Sequence, residues 1–224
     1  MINLEDFAFI VPARKNSKGI RNKNLVRHKK KSLIEHTFKI LNSINKKNKF
    51  VLTDCNKIKK IASKYSISVD YKRPNKLSGD KIELLDNLIH FDKYLSKYHN
   101  FKYYVILQPT SPLRTKKDLF ESIRIFNKKR FDSLFSASPS IEHPSDSFYL
   151  HRNKIKYFIK TKNSLRQSYH KSYFVNGAIY IFKKTLLKKK KIISQKHGIY
   201  LMKKINSLDI DDYQDLDLFK KIIY

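Results

Sequence analysis

The chain alternates continuous apolar runs with stretches of helical spacing, and that alternation confines it to one broad class of fold. Phe7–Val11 and Tyr103–Leu107 are apolar throughout. A strand with one face in water alternates polar and apolar residues, whereas a strand covered on both faces does not. Lys49–Thr53, Ile67–Val69, Asp132–Ala137, Phe174–Phe182 and Gly198–Lys203 read as further strands. Between them lie helical patterns. One runs from an N-cap at Ser32 to about Asn45, with Glu35 completing a capping box. Others cover Asn56–Tyr65 and Asp80–Tyr98, the latter with Leu84, Leu85, Leu88, Phe91 and Leu95 on one side. Thr115 caps a helix to about Lys129, and Asp212–Ile223 is the last. The expectation is an α/β fold with a mostly parallel central sheet covered on both faces. Residues 139–172 break the rhythm and read as an excursion from it.

Composition narrows the classes further. A chain of 224 residues with 41% hydrophobic content can bury one full core. No apolar run approaches the length of a membrane span, and the start, with Glu5 and Asp6, is unlike a signal peptide. Cys55 is the only cysteine, so no intrachain disulfide forms and a reducing cytoplasm is expected. The formal net charge is +30, yet 40 of the 49 cations are lysines spread along every segment. Solvated lysines on exposed faces account for this better than a nucleic-acid surface does. Residues 147–208 contain no acid, and carboxylates then cluster in 209–217.

Four segments carry chemistry. The first strand runs into a loop holding Arg14, Ser17, Lys18, Gly19, Arg21 and Lys23. In open α/β sheets ligands bind at the carboxyl ends of strands, so these cations form a site for a polyanion. Gln108-Pro109-Thr110-Ser111-Pro112-Leu113-Arg114 follows the central strand, and two prolines stiffen it. A ligand-facing role is expected for Gln108, Thr110, Ser111 and Arg114. Asn176-Gly177 interrupts a strand, and glycine there marks a close backbone approach. Tyr180, four residues on, packs in the core or faces a ligand. Asp209 and Asp211 share one face of an extended segment. They form either a minimal Mg²⁺ site or, with Asp212, an N-cap cluster for the last helix. Surrounding cations are expected to keep both ionised.

In this order and spacing the motifs resemble the acylneuraminate cytidylyltransferase family, the CMP-sialic acid synthetases. The matching segments are Pro12-Ala13-Arg14, Ser17-Lys18-Gly19, Lys23-Asn24, Thr53-Asp54, Arg73-Pro74 through Asp80, Asp86 and His90, Gln108 through Arg114, Arg166-Gln167, Asn176 through Tyr180, and Asp209-Ile210-Asp211. The resemblance implies a three-layer, Rossmann-like nucleotide-diphospho-sugar transferase fold in one domain over 1–224, with 139–172 as a dimerisation excursion and a homodimer as the assembly. It implies transfer of CMP from CTP to the C2 hydroxyl of a nine-carbon 2-keto acid sugar, with release of pyrophosphate. Arg14, Ser17, Lys18, Lys23, Asn24, Arg73 and Asp80 would contact CTP. Gln108, Arg166, Asn176 and Tyr180 would face the sugar, and Asp209 and Asp211 would hold Mg²⁺. Arg14, Lys23 and Asp211 would be catalytic. Asn176–Tyr180 is closer to the N-acetylneuraminate and legionaminate branches than to the pseudaminate branch. Four positions differ from residues found in the family: Lys15 stands for its usual glycine, Arg21 for a frequent proline, Asp146 for a lysine that some members carry and Phe174 for an arginine found in some. A basic nucleic-acid-binding protein and an inactive homologue are the competing readings.

Overall fold

The computed structural model describes residues 3–15, 19–74, 77, 79, 82–159 and 169–223. In chain order its elements are β1 (Phe7–Pro12), β2 (Arg27–His28), β3 (Lys31–Ser32), α1 (Leu33–Ile40), β4 (Lys49–Leu52), α2 (Asn56–Lys64), α3 (Leu84–Leu95) and β5 (Tyr103–Leu107). Then follow α4 (Lys116–Lys128), β6 (Ser133–Pro139), β7 (Phe148–His151), β8 (Lys154–Tyr157), β9 (Tyr173–Lys183), β10 (His197–Leu201) and α5 (Tyr213–Ile222). Six strands form one sheet in the order β10-β6-β9-β5-β1-β4. β1 pairs parallel with β4 and β5, and β10 with β6, whereas β9 runs antiparallel to both neighbours.

The apolar runs are covered on both faces. Phe7, Phe9 and Val11 of β1 pack with Phe38 of α1, Ile58 of α2 and Ile123 of α4. Ala8 and Ile10 point the other way, toward Leu88, Phe91 and Leu95 of α3. The fold is therefore a three-layer α/β sandwich. Among the described residues no helix is long and apolar enough to cross a membrane.

Three boundaries differ from the sequence reading. Ile67–Val69 is not a sheet strand: Ser68 makes a single bridge to Phe50, and its hydroxyl turns to Asp70 at 2.8 Å. A three-residue segment ends before a ladder propagates. α3 runs over Leu84–Leu95 with Glu83 as N-cap, shorter than expected at both ends, and the expected start at Asp80 lies outside the described residues. α1 stops at Ile40 and tightens into a 3₁₀ turn over Leu41–Ser43, where Asn42 and Ser43 are weaker helix formers than the residues before them. The predicted caps at Ser32, Thr115 and Asp212 are all present as capping boxes.

In the 139–172 region β7 and β8 form a hairpin. Arg152 and Asn153 both have positive φ, the geometry of a two-residue turn that matches strand twist. Every residue of the two strands is exposed, Phe148, Leu150 and Tyr157 among them.

Arg114 is fully buried and faces inward. Its guanidinium donates to the carbonyls of Gln108 (3.1 Å) and Ala178 (2.6 Å) and to the Thr37 hydroxyl (2.9 Å). Ser111 is likewise buried. The ligand-facing role expected for these two is therefore corrected: the prolines turn them into the core. Burial pushes the Arg114 guanidinium down to about 9, so it remains a cation at neutral pH. Arg114→Ala should cost about 3 kcal/mol, because it strands three buried acceptors at once. Urea denaturation checks this; a loss below about 1 kcal/mol would show that water replaces the side chain.

Candidate active site

Pro12 ends β1 and delivers Arg14 to the sheet's carboxyl rim. The Lys15 amide donates to Asp54 Oδ1 at 2.7 Å, and Asn24 Nδ2 donates to the Arg14 carbonyl at 3.2 Å. The strand exit is thus clamped from both sides. Asn22 takes a left-handed conformation (φ 54°) and starts the 3₁₀ turn carrying Lys23 and Asn24. Ser17 and Lys18 lie outside the described residues.

The basic turn meets the acidic segment directly. Lys23 Nζ donates to the Ile210 carbonyl (2.6 Å) and to Asp211 Oδ1 (3.0 Å). Only 11% of the lysine side chain is exposed against 77% for Asp211. The lysine is thus fixed by the backbone, while the carboxylate stays open to solvent. Gly19 lies against the same segment: a Cβ there would sit 2.3 Å from the Asp211 carbonyl oxygen, so no larger residue fits. Ile210 N–H donates to the Thr110 carbonyl at 2.8 Å, which joins the acidic segment to the loop after β5. These three loops enclose a cleft of about 510 Å³. Arg14, Lys23, Asn24, Gln108, Asp209 and Asp211 all line it.

Asp209 is the less exposed carboxylate. Burial pushes its acid up from the usual aspartate range, and the negative charges of Asp211 and Asp215 reinforce this. The Thr110 side chain and Lys23 oppose it without cancelling it. The expectation that nearby cations hold both acids fully ionised is thus corrected for Asp209, where desolvation dominates. Its Oδ1 is buried and has no hydrogen-bond partner. Asp212, not Asp209 or Asp211, caps α5, through the amides of Gln214 and Asp215. Among the described residues no group of three or more His, Cys, Asp or Glu is placed to hold a metal by itself.

Other candidates lie elsewhere. Asn176 is corrected from a sugar contact to a buried clip. Its Oδ1 accepts from Ser136 Oγ (2.6 Å) and the Ala178 amide (3.2 Å), and its Nδ2 donates to Ser207 Oγ (2.9 Å). The register of β6 against β9 shifts between Phe135 and Ala137, and Asn176 replaces the ladder bonds lost at that bulge. Gly177 makes the bulge possible with φ +70° and lies beside the Gln108 amide. Tyr180 is half-buried against the α3-side core and is absent from the cleft lining. Burial raises its phenol, and the charge of Asp209 adds to this. Arg73 sits in the loop before α3, where its Nε donates to the Leu77 carbonyl at 3.0 Å. Burial lowers its guanidinium while Asp54 opposes that. Asp80 and Arg166 lie outside the described residues. Leu84 lines the cleft although nothing in the sequence marked it for that. Leu84 shows the periodicity of a core residue, and only the helix start turns it toward the opening.

Residues 8–223 match the family described as cytidylyltransferase. The chain is 33% identical over 216 residues to an N-acylneuraminate cytidylyltransferase of Streptococcus agalactiae serotype V, covering 92% of this chain and 50% of that protein. It therefore spans about half the length of that relative. It is 28% identical to the CMP-N,N'-diacetyllegionaminic acid synthase of Campylobacter jejuni, covering 94% of this chain and 92% of the other. Among solved structures, a CMP:2-keto-3-deoxy-manno-octonic acid synthetase complexed with CTP superposes with a TM-score of 0.69 at 13% identity, over 97% of this chain and 98% of that one.

Asp209 is destabilising when ionised, since its folded acid is weaker than its unfolded one. That penalty is present at neutral pH and vanishes below the ordinary aspartate range, where both states bind the proton. Asp209→Asn should accordingly melt at a higher temperature than the parent at pH 7, and the gap should close toward pH 3.5. A gap that widens on acidification would show that Lys23 outweighs desolvation.

Proposed function

The chain belongs to the cytidylyltransferase family, and on that premise we propose that it transfers CMP from CTP to the C2 hydroxyl of an N-acylneuraminate-type nonulosonic acid, releasing pyrophosphate. The observation that carries the reading is the junction of the basic turn and the acidic pair in one cleft. A nucleoside triphosphate needs cations along its phosphates, and phosphoryl transfer is mainly positioning and charge stabilisation. Arg14 and Lys23 supply the charge, and Asn24 keeps the Arg14 backbone in place. Gln108 stands across the cleft from them on the loop after β5, in position to bind the acceptor. Its amide lies beside Gly177.

The acidic pair suits Mg²⁺. Asp209 has a buried oxygen without a partner, Asp211 is mostly exposed, and both line the cleft. Magnesium takes one or two carboxylates and completes its shell with water and substrate phosphates, which fits a site with two acids. When bound, the ion polarises phosphoryl oxygens and lowers the pKa of the attacking hydroxyl. Asp211, open to solvent, orients that hydroxyl or takes its proton. Lys23 holds the Asp211 carboxylate from the other side.

Pyrophosphate release from CTP tests the reading. The expected result is turnover with a nonulosonic acid and Mg²⁺, and its loss on chelation. Asp211→Ala should lower kcat at least about 10³-fold with unchanged circular dichroism. Activity within a few-fold of the parent would remove Asp211 from the chemistry.

The assembly is proposed to be a homodimer built on the β7–β8 hairpin. Phe148, Leu150, Tyr157 and Phe158 each leave about half or more of their surface in water, and exposed apolar side chains gathered on one hairpin mark an interaction surface. Sedimentation should give twice the 26.7 kDa of one chain, and Leu150→Asp should shift the species toward that single mass.

A further inference from the structure

The pairing of β1 with β4 continues past the end of both strands. The Ala13 amide donates to the Leu52 carbonyl at 2.9 Å. In a parallel ladder the next rung lies two residues on in each chain, from the Lys15 amide to the carbonyl of Asp54. The backbone turns away there: the Cys55 amide donates to Thr53 Oγ1 at 3.1 Å, and α2 starts at Asn56. The Asp54 side chain takes the place of that carbonyl and accepts the Lys15 amide on Oδ1 at 2.7 Å. The other end of the same peptide unit is also held, since Asn24 Nδ2 donates to the Arg14 carbonyl at 3.2 Å. One peptide plane is thus fixed by two side chains from two distant segments, and Arg14 is attached to it.

Asp54 is not the cap of α2, whose N-cap is Cys55. Nor does it line the cleft, as Arg14 does. Its charge acts on Arg73, and so does that of Arg14, which gathers the acid and two arginines in one corner of the sheet's rim. On charge alone a carboxylate in that corner opposes a triphosphate. That leaves the bond to the Lys15 amide as its contribution. Resting on the cytidylyltransferase reading, we propose that Asp54 is a positioning residue: by supplying the missing rung it holds the Arg14–Lys15 peptide plane so that the Arg14 guanidinium meets the phosphates of CTP. The bond carries the effect, and the negative charge does not. A residue just beyond a strand end ordinarily has the freedom of a loop, and ordering it when ligand arrives costs affinity. Here the order is established on folding, through a side chain that touches no ligand itself.

The experiment titrates CTP with Mg²⁺ into the full chain by calorimetry and compares the parent with Asp54→Ala and Asp54→Asn. Asp54→Ala should weaken CTP binding about tenfold, the effect of one hydrogen bond. Asp54→Asn, whose Oδ1 still accepts the amide, should stay within about threefold of the parent. The loss should act through Arg14. In an Arg14→Ala background, which keeps the peptide unit and its two partners, Asp54→Ala should change the CTP Kd by less than about twofold. A role in stability alone would not give this pattern, since it lowers the number of molecules able to bind and leaves their Kd unchanged. Should Asp54→Ala fail to fold, Asp54→Ser takes its place: its hydroxyl suits a turn but ends too short to reach the Lys15 amide. A Kd that neither shortened variant moves overturns the proposal. So does Asp54→Asn binding as weakly as Asp54→Ala, which would assign the effect to charge, and so does an equal loss with and without Arg14. A parent that binds no CTP removes the cytidylyltransferase reading itself, an outcome distinct from a bound nucleotide indifferent to residue 54.

Discussion

One guanidinium ties the loop after β5 to the rest of the molecule. Arg114 reaches from the start of α4 to a carbonyl of its own loop, a carbonyl of β9 and a hydroxyl of α1. A lysine has the charge but concentrates its donors on one nitrogen, whereas the planar fork spreads them over two here. Because the group is buried, its bonds are strong and its unpartnered alternatives costly, so the loop has one conformation rather than several. Gln108 and Thr110 inherit that rigidity. Thr110 passes it on, through its carbonyl, to the amide of Ile210 between the two candidate metal ligands.

A second brace approaches the acidic segment from behind. Asn176 fills the β9 bulge and holds Ser207, two residues before Asp209. The surface of the cleft is thus set by two buried polar clusters whose bonds run inward. This arrangement places an acid whose charge is disfavoured by burial, Asp209, beside one in open solvent, Asp211. A bound cation would relieve the first without requiring the second to move far. In a chain of net charge +30, long-range attraction adds little to such a site, because exposed lysines are screened within about 8–10 Å at physiological salt. Local geometry decides.

The layer architecture was legible because continuous apolar runs can only be strands with two covered faces, and Phe7–Val11 is divided between two cores residue by residue. Caps were legible because Ser32, Thr115 and Asp212 act within four residues of themselves. The meeting of Lys23 with Asp211, 188 positions apart, was expected from the family resemblance; no local pattern contains it. Arg114 and Asn176 were read as ligand contacts because a polar residue at a strand end looks alike whether it faces a cleft or a core. What separates the two is whether its partners come from distant segments, and Ser136, Ser207, Ala178 and Thr37 carry no mark of that in the sequence. The bulge at Asn176-Gly177 was half legible: glycine announced irregular backbone but not the direction of its neighbour's side chain.

The antiparallel position of β9 has a consequence for how the chain is made. β9 is the sole link between the β4-β1-β5 block and the β6-β10 pair in the six-stranded sheet. Until residues 173–183 have left the ribosome, β5 presents a bare, wholly apolar edge, and β6 has nothing to join. Between the completion of β5 and the arrival of β9 the nascent chain is therefore a half-sheet with an unpaired flank, the kind of intermediate that sticks to others like it. Refolding from denaturant is expected to yield less at high protein concentration, because the late strand leaves that edge open to other copies.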